Sequence, residues 1–524
     1  MSMLRKYYVV VENPNDKPGV HADLTTDYSD EAIPERAVEI INPMTHSEYN
    51  STVMLTDEEA AALMSDLRIK EVHRDPIEMG VKKRTTGIRT GIFNKSIEPF
   101  QTSKNWGLVR GLSTVTNFPT GYSSSTGPFT FNLNGGGVDI IIIDTGVEPN
   151  HPEFAVNADG TGGSRVIDYD WTQHGIIASA PTGGFLGDCD GHGSNCASIA
   201  AGNTQGWAPG ANIYSLRSVG SGATTERDIT DNRVLGLLDD FEVWQTIRAF
   251  HIAKAVDPAT GYKRPTIVNC SFGFFSSYTR LTGIRYRNTN YAVSTTTAAY
   301  GTIGIPEGGI GVHGYFYPAL NAEIESCINA GVIVVAAAGN DRHKIDVSGG
   351  LDYNNYWTEY TGFTYYYHRG ATPAGTNGVI CVGAIAAFAT ASVNPEHKRE
   401  FSCTGPGVDI WAPGDYIMGA YANSAYAYPA VADPRNSNYY LNAISGTSQA
   451  APQVVGALAC VLQARPWMNQ QQCLNWTTST ASTWKVNESY YGGSGYTNWG
   501  SLQGGPAKAL YQIFNSATPL TIFG

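Results

Sequence analysis

Val138-Asp139-Ile140-Ile141-Ile142-Ile143-Asp144-Thr145-Gly146 decides how this chain is built. Its four consecutive isoleucines show no apolar–polar alternation, so the strand is expected to be buried on both faces, as in a parallel sheet covered by helices on each side. The run ends on an aspartate at the strand's carboxyl end, where open α/β sheets gather their sites. Outward from it, the apolar runs 213–216, 266–268, 332–338 and 379–382 repeat the strand pattern. Helical stretches interleave with them: 237–255, with Phe241, Trp244 and Ile247 on one face, 320–329, and the apolar run 450–462. Such alternation predicts an α/β fold with a mostly parallel sheet and helices on both faces, over residues 101–524.

The length, 524 residues, predicts one large domain plus a smaller one. An apolar content of 42% suffices for a core, and only 15% of the residues are charged. A net charge of −12 argues against a general nucleic-acid binder, which carries a basic surface. The longest apolar runs, such as 140–143 and 332–338, are strand-sized, so no membrane span is expected. Arg5 and Lys6 are followed by an apolar stretch of 7–11 only, too short for a signal-peptide core and better read as a first strand. That favours an intracellular or particle-associated setting over ordinary secretion. None of the eight cysteines forms a C-x-x-C motif. Cys189, His192 and Cys196 have a spacing that suggests a metal, but a fourth ligand is not apparent.

Residues 1–78 read as a small α+β unit: a β-rich run at 6–12, a helix opened by the capping pair Thr56 and Glu59, and a returning strand at 69–73 stopped by Asp75-Pro76. Residues 79–100, with Lys82, Lys83, Arg84, Arg89 and Lys95 among glycines and threonines, have no sustained apolar period and read as a linker. Exposed linkers of this kind are where proteolytic nicking concentrates.

Four short motifs carry possible chemistry. Gly446-Thr447-Ser448-Gln449-Ala450-Ala451-Pro452 feeds a helix, so Ser448 meets backbone N–H groups that lack partners and the positive end of the helix dipole. A serine there can attack a carbonyl while its own N–H helps hold the oxyanion, or it can simply cap the helix. Asp144 closes the isoleucine strand. His192 lies in Asp190-Gly191-His192-Gly193-Ser194-Asn195-Cys196-Ala197, with small residues after it. Asn340 ends a strand at Ala338-Gly339-Asn340, where its amide can donate to a developing oxyanion or make a turn.

In this order, Asp-Thr-Gly, His-Gly-Ser, Ala-Ala-Gly-Asn and Gly-Thr-Ser-x-Ala-Ala-Pro resemble the subtilisin-like serine peptidases. Trp106-Gly107-Leu108-Val109-Arg110, His151-Pro152-Glu153-Phe154 and Gly206-Trp207-Ala208-Pro209-Gly210-Ala211 lean to the proteinase K branch. The resemblance implies a catalytic triad: Ser448 as nucleophile, His192 as general base and then acid, and Asp144 orienting the imidazole. Asn340 and the Ser448 N–H would form the oxyanion hole, and Ser271-Phe272-Gly273 would pair with an extended substrate backbone. No cofactor is implied for the chemistry. A structural calcium would use Asp409 with backbone carbonyls near Gly378 and Ile380, and Cys381 and Cys473 stand where proteinase K pairs two cysteines. Residues 1–78, through 55–59 and 72–75, resemble the family's ferredoxin-like propeptide, an inhibitor and folding chaperone. A self-processing zymogen cut somewhere in 76–104 follows as an expectation.

Departures from the family pattern are Gln449 for the usual methionine, Gln453 for histidine, and Ser194-Asn195 for Thr-His. The segments 274–318 and 341–371 are long, aromatic-rich insertions, expected either to pack on themselves or to form a lid, a partner surface or a substrate-selecting wall. Asp188 and Asp190 beside His192 would favour basic side chains. The reading is a serine endopeptidase acting on protein or peptide substrates. The alternative is a structural or binding protein on the same scaffold, for example in a virus particle.

Overall fold

The computed structural model describes residues 3–26, 34, 36–75, 82–85, 87–88, 105–111, 133–157, 159–219, 238–258, 260–276, 281–293, 303–305, 313–360, 362–387, 397–421, 431–483 and 502–511. The first unit runs β1 (Arg5–Val11), α1 (Lys17–Thr25), β2 (Ile40–Asn42), β3 (Asn50–Leu55), α2 (Asp57–Leu63) and β4 (Ile69–Arg74), with sheet order β2-β3-β1-β4. All three neighbouring pairs are antiparallel, giving the ferredoxin-like arrangement. The Thr56 side chain accepts from the Glu59 N–H, and the Glu59 carboxylate accepts from the Thr56 N–H, closing the capping box at the start of α2.

Two short strands follow in the stretch read as a linker, β5 (Lys82–Thr85) and β6 (Gly87–Ile88). The larger unit then contains α3 (Trp106–Gly111), β7 (Asp139–Asp144), β8 (Val166–Ile167), α4 (His192–Ala201), β9 (Asn212–Arg217), α5 (Asp240–Ala253), β10 (Thr266–Cys270) and β11 (Phe272–Ser276). After the strands β12 (Leu281–Tyr286), β13 (Thr289–Tyr291) and β14 (His313–Gly314) come α6 (Pro318–Asn329), β15 (Ile333–Ala337), β16 (Tyr356–Glu359), β17 (Thr364–Tyr366) and β18 (Ile380–Ile385). The chain closes with β19 (Ile410–Pro413), β20 (Ile417–Tyr421), β21 (Val431–Asp433), β22 (Asn436–Gly446), α7 (Thr447–Ala464), α8 (Gln470–Thr480), β23 (Ser482–Thr483) and β24 (Lys508–Ala509).

The central nine-stranded sheet has the order β23-β24-β19-β18-β15-β10-β7-β9-β8 and is parallel except between β23 and β24. The isoleucine run explains its two-sided burial. Ile140 and Ile142 join the core that holds Val454, Val455 and Leu458 of α7. Ile141 and Ile143 join the core that holds Phe241, Trp244 and Ile247 of α5 and Leu320 and Ile324 of α6. One strand thus feeds two cores because successive side chains point to opposite faces.

The two insertions pair with each other in a second, antiparallel sheet of order β13-β12-β16-β17. Many of their aromatics face inward: Trp357 and Tyr367 stack at 4.7 Å, and His313 meets Trp357 edge-on at 4.4 Å. All eight cysteines are free thiols, so Cys381 and Cys473 are not bonded to each other.

The first unit rests on α5 and α6. Tyr8 stacks on Phe241 at 4.9 Å, and Asn50 Nδ2 donates to the Ala319 carbonyl at 3.0 Å and to Glu323 at 2.7 Å. His73 Nε2 accepts from the Ala319 N–H at 3.0 Å, satisfying one of the donors that α6 leaves open at its start. Burial lowers His73, His251, His313 and His368 to about 4. These rings bind protons more readily unfolded than folded, so their share of stability is complete above about 6.5 and is lost as pH falls toward 4. Each should cost roughly 1–2 kcal/mol at pH 5. Thermal melts from pH 7.5 to 4.5 should show a steady fall in Tm, and a flat profile over that range would contradict the assignment.

Candidate active site

Asp144, the last residue of β7, is fully buried, and its Oδ1 accepts from the Thr145 N–H at 2.7 Å. His192 opens α4, and its Nδ1 lies 2.8 Å from Asp144 Oδ1 and 3.0 Å from Oδ2. With Nδ1–H donating to the carboxylate, Nε2 is left as the acceptor. Burial works against charge on this ring, but the Asp144 carboxylate beside it prevails and holds His192 well above its ordinary 6.5.

Two features bring the helix to the aspartate loop. A Cβ on Gly193 would stand 2.0 Å from the Gly146 carbonyl, so only glycine permits the approach. Asp188 accepts from the N–H groups of Asp190, Gly191 and Ser194 and from the Thr145 hydroxyl. It is therefore a clasp at the start of α4, and the expectation that Asp188 selects basic side chains is corrected, because its oxygens are spent on the protein's own backbone.

Ser448 lies in the first turn of α7. Pro452 is inside the helix. Having no N–H, it leaves the Ser448 carbonyl without its helical partner. Ser271 fills the gap: its Oγ donates to that carbonyl at 2.8 Å, while Ser448 Oγ donates to the Ser271 carbonyl at 3.0 Å. The Cys196 thiol sits between helices, 3.4 Å from the Ser448 carbonyl and 3.8 Å from His192 Nδ1. Its i+4 spacing from His192 was the signal that could have placed it there.

Asn340 is oriented from both sides. Its Oδ1 accepts from the Thr447 N–H and hydroxyl, each at 3.0 Å, and that hydroxyl accepts in turn from the Gly339 N–H. The amide nitrogen must then point away from Thr447, and among the described residues Asn340 Nδ2 and His192 Nε2 are both buried without a partner. Phe272 and Gly273 open β11 directly after Ser271, forming a strand against which extended chain can pair.

The departures fall beside this centre. Gln449 Nε2 donates to Asn195 Oδ1 at 3.2 Å, and Asn195 Nδ2 donates to the Asn442 carbonyl at 3.3 Å. Gln453 exchanges amide hydrogen bonds with Asn105 at 3.0 and 3.1 Å.

Among the described residues, Asp144, His192 and Cys196 bring three ligand-type atoms within 4.8 Å of one another, and Cys189 is not among them. Both Asp144 oxygens already face the imidazole, and burial raises the Cys196 thiol, keeping it protonated. The group therefore suits proton handling better than a resident metal. Asp409 lies apart, on a cavity of about 710 Å³ between the two units, with Oδ2 accepting from the Cys381 N–H at 2.8 Å. Burial pushes its carboxyl up to about 6. A cation there would relieve that burial, so the Asp409 carboxylate fits a calcium ligand, whereas the Gly378 carbonyl, on a residue lining the same cavity, already accepts from Gln470 Nε2 at 2.7 Å.

Known proteins resemble this chain over most of its length. The model of the subtilase family matches residues 135–504. An extracellular serine proteinase of Thermus sp. (strain Rt41A) is 27% identical over 349 residues, covering 66% of this chain and 55% of its own. Alkaline serine exoprotease A of Vibrio alginolyticus is 24% identical over 461 residues, 86% of this chain and 59% of its own. Fervidolysin of Fervidobacterium pennivorans, a keratinolytic enzyme related to subtilisin, superposes with a TM-score of 0.53 at 16% identity, covering 100% of this chain and 62% of that one. The chain thus spans just over half the length of the curated relatives it matches.

Proposed function

The chain belongs to the subtilase family, and from that premise we propose that it is a serine endopeptidase cutting protein or peptide chains through an acyl-enzyme. Ser448 Oγ attacks the substrate carbonyl, and His192 Nε2 takes its proton and returns it to the leaving amine. Asp144 holds the imidazole in the tautomer that leaves Nε2 free. The Asn340 amide and the Ser448 N–H receive the oxyanion. The observation that carries this reading is the pair of buried, unpartnered atoms His192 Nε2 and Asn340 Nδ2. Buried polar groups are almost always satisfied, so two orphans in one site point to a partner that arrives with substrate.

Labelling with a fluorophosphonate, wild type beside Ser448→Ala, tests the nucleophile: label on the wild type alone supports it, and label on neither or both contradicts it. Asn340→Leu should lower kcat by about 10²–10³ with KM little changed, the loss seen in a subtilisin when one oxyanion donor is removed. Steady-state kinetics on a peptide substrate measures it; a drop confined to KM would remove Asn340 from the oxyanion hole.

On the same footing, residues 1–78 act as an inhibitor held on α5 and α6, and the chain is a zymogen that cuts itself within 76–104. Calcium, bound at Asp409, would add stability without entering the chemistry. Ser271, Phe272 and Gly273 receive the substrate backbone.

A further inference from the structure

We infer that Asn269 is a positioning residue for the nucleophile, acting on Ser448 through the Ser271 hydroxyl, an inference that rests on the peptidase reading above. Asn269 lies near the end of β10, a central strand of the nine-stranded sheet, flanked by β15 and β7. Its register partners are Val335 on one side and Ile142 on the other, and both belong to the core packed against α7. On β10 itself, Ile267 joins that same core, whereas Val268 and Cys270 join the other. Alternation therefore turns Asn269 toward α7, at a place where the pattern asks for an apolar side chain. The amide found there is fully buried.

Its two ends are treated unequally. Nδ2 donates to Ser271 Oγ at 2.9 Å, and among the described residues Oδ1 is buried without a hydrogen-bond partner. A stranded acceptor costs stability, and an amide half satisfied inside an apolar core is a poor choice for the fold alone. What the satisfied half does is orient Ser271. The Ser448 carbonyl only accepts, so the single proton of the Ser271 hydroxyl is committed to it, at 2.8 Å. Ser271 Oγ must then accept from Asn269, which fixes Nδ2 rather than Oδ1 on its side and stops the hydroxyl from turning away.

The relay ends where a helix lacks support of its own. Pro452 offers no N–H to the Ser448 carbonyl, so the first turn of α7 is held at that point from outside. The Ser271 hydroxyl arrives there at 2.8 Å, and the Cys196 thiol, a weaker donor, at 3.4 Å. That turn carries both the attacking Oγ and the Ser448 N–H offered to the oxyanion. Ser448 Oγ in turn donates to the Ser271 carbonyl at 3.0 Å, so the two serines are tied in both directions, and Asn269 sets one of them. Without its donor the turn is free to shift, and a misplacement of about 1 Å at a reacting group costs up to about 10²-fold in rate. His192 keeps its own hydrogen bond to Asp144, so the charge of the base is unaffected.

The test is steady-state kinetics on a peptide substrate, with the rate of fluorophosphonate labelling, the Tm and the pH profile of kcat/KM, for wild type, Asn269→Leu, Ser271→Ala and the double variant. Asn269→Leu keeps the amide's shape, suits the surrounding core and removes the stranded Oδ1, so it should fold with a Tm near or above wild type. Its kcat and labelling rate should fall by about tenfold to a hundredfold, with KM and the pH midpoint little changed. Ser271→Ala, which breaks the relay one bond nearer the nucleophile, should lose at least as much, and the double variant no more than Ser271→Ala alone. A role in the fold alone would move Tm and leave the rate per labelled site at wild type, and that outcome overturns the proposal. So does a double variant that loses the product of the single losses, or a loss confined to KM. Should Asn269→Leu not fold, wild-type kcat in Ser271→Ala overturns the relay, and a lowered kcat at unchanged KM supports it. A wild type that neither labels nor turns over peptide overturns the peptidase reading itself, which marks that failure off from the others.

Discussion

Ser448→Ala is expected to lower kcat for peptide hydrolysis by about 10⁶, the scale found when the nucleophile of a subtilisin is removed. The magnitude is large because the three groups act as a unit: without Oγ, neither the His192 base nor the Asp144 charge has a proton to move. Residual turnover, roughly 10³–10⁴ above water, would come from substrate positioning and the oxyanion donors. The fold should be nearly untouched. The serine is fully buried in the first turn of a helix, alanine is the better helix former, and the change forgoes one hydrogen bond to the Ser271 carbonyl. A Tm within a few degrees of wild type, together with lost turnover, separates chemistry from unfolding. Retained turnover at even a hundredth of wild type would remove Ser448 from the mechanism.

Asp144→Asn should lower kcat by about 10⁴ at neutral pH, the loss that follows when a triad aspartate becomes an amide in another serine peptidase. Both Asp144 oxygens face His192 Nδ1, and Oδ1 also accepts from the Thr145 N–H. An amide can keep the Thr145 contact only by turning its NH₂ toward Nδ1, which pushes the ring proton to Nε2 and blocks the base. The charge effect adds to this. The Asp144 carboxylate holds His192 above 6.5, so the wild-type kcat/KM should rise with pH through a midpoint above that value as the base becomes neutral. In Asp144→Asn the midpoint should move down while the plateau collapses. A profile that keeps its midpoint would mean the carboxylate does not set the ring's charge.

Much of this was legible in the sequence because the informative residues obey local rules. The isoleucine run 138–143 could be buried only on two faces, and the capping pair Thr56 and Glu59 announces α2 four residues at a time. Asp144, His192, Asn340 and Ser448 were singled out by motif order, although each alone had an ordinary reading. What escaped depends on contacts distant in sequence. Residues 82–88 have no apolar period, so their strands exist through pairing with residues nearly 200 and 360 positions away. Asp188 escaped although its backbone partners are only two to six residues away, because a carboxylate near a histidine reads equally as a charge offered to substrate. The aromatics of 274–318 and 341–371 left self-packing and display equally open, and many pack within a sheet that the two insertions build together. The effect of Pro452 lies in the Ser448 carbonyl, which it leaves for Ser271.

The contact between Gln449 and Asn195 couples two positions beside the nucleophile. Both positions depart from the family's usual methionine and histidine, and here they hold one another by an amide hydrogen bond. Returning Gln449 to methionine removes the donor to Asn195 Oδ1, and returning Asn195 to histidine removes the acceptor for Gln449 Nε2, each at roughly 1–3 kcal/mol. The two sites are therefore energetically coupled, and in a double-mutant cycle Gln449→Met with Asn195→His should cost less than the sum of the two single changes.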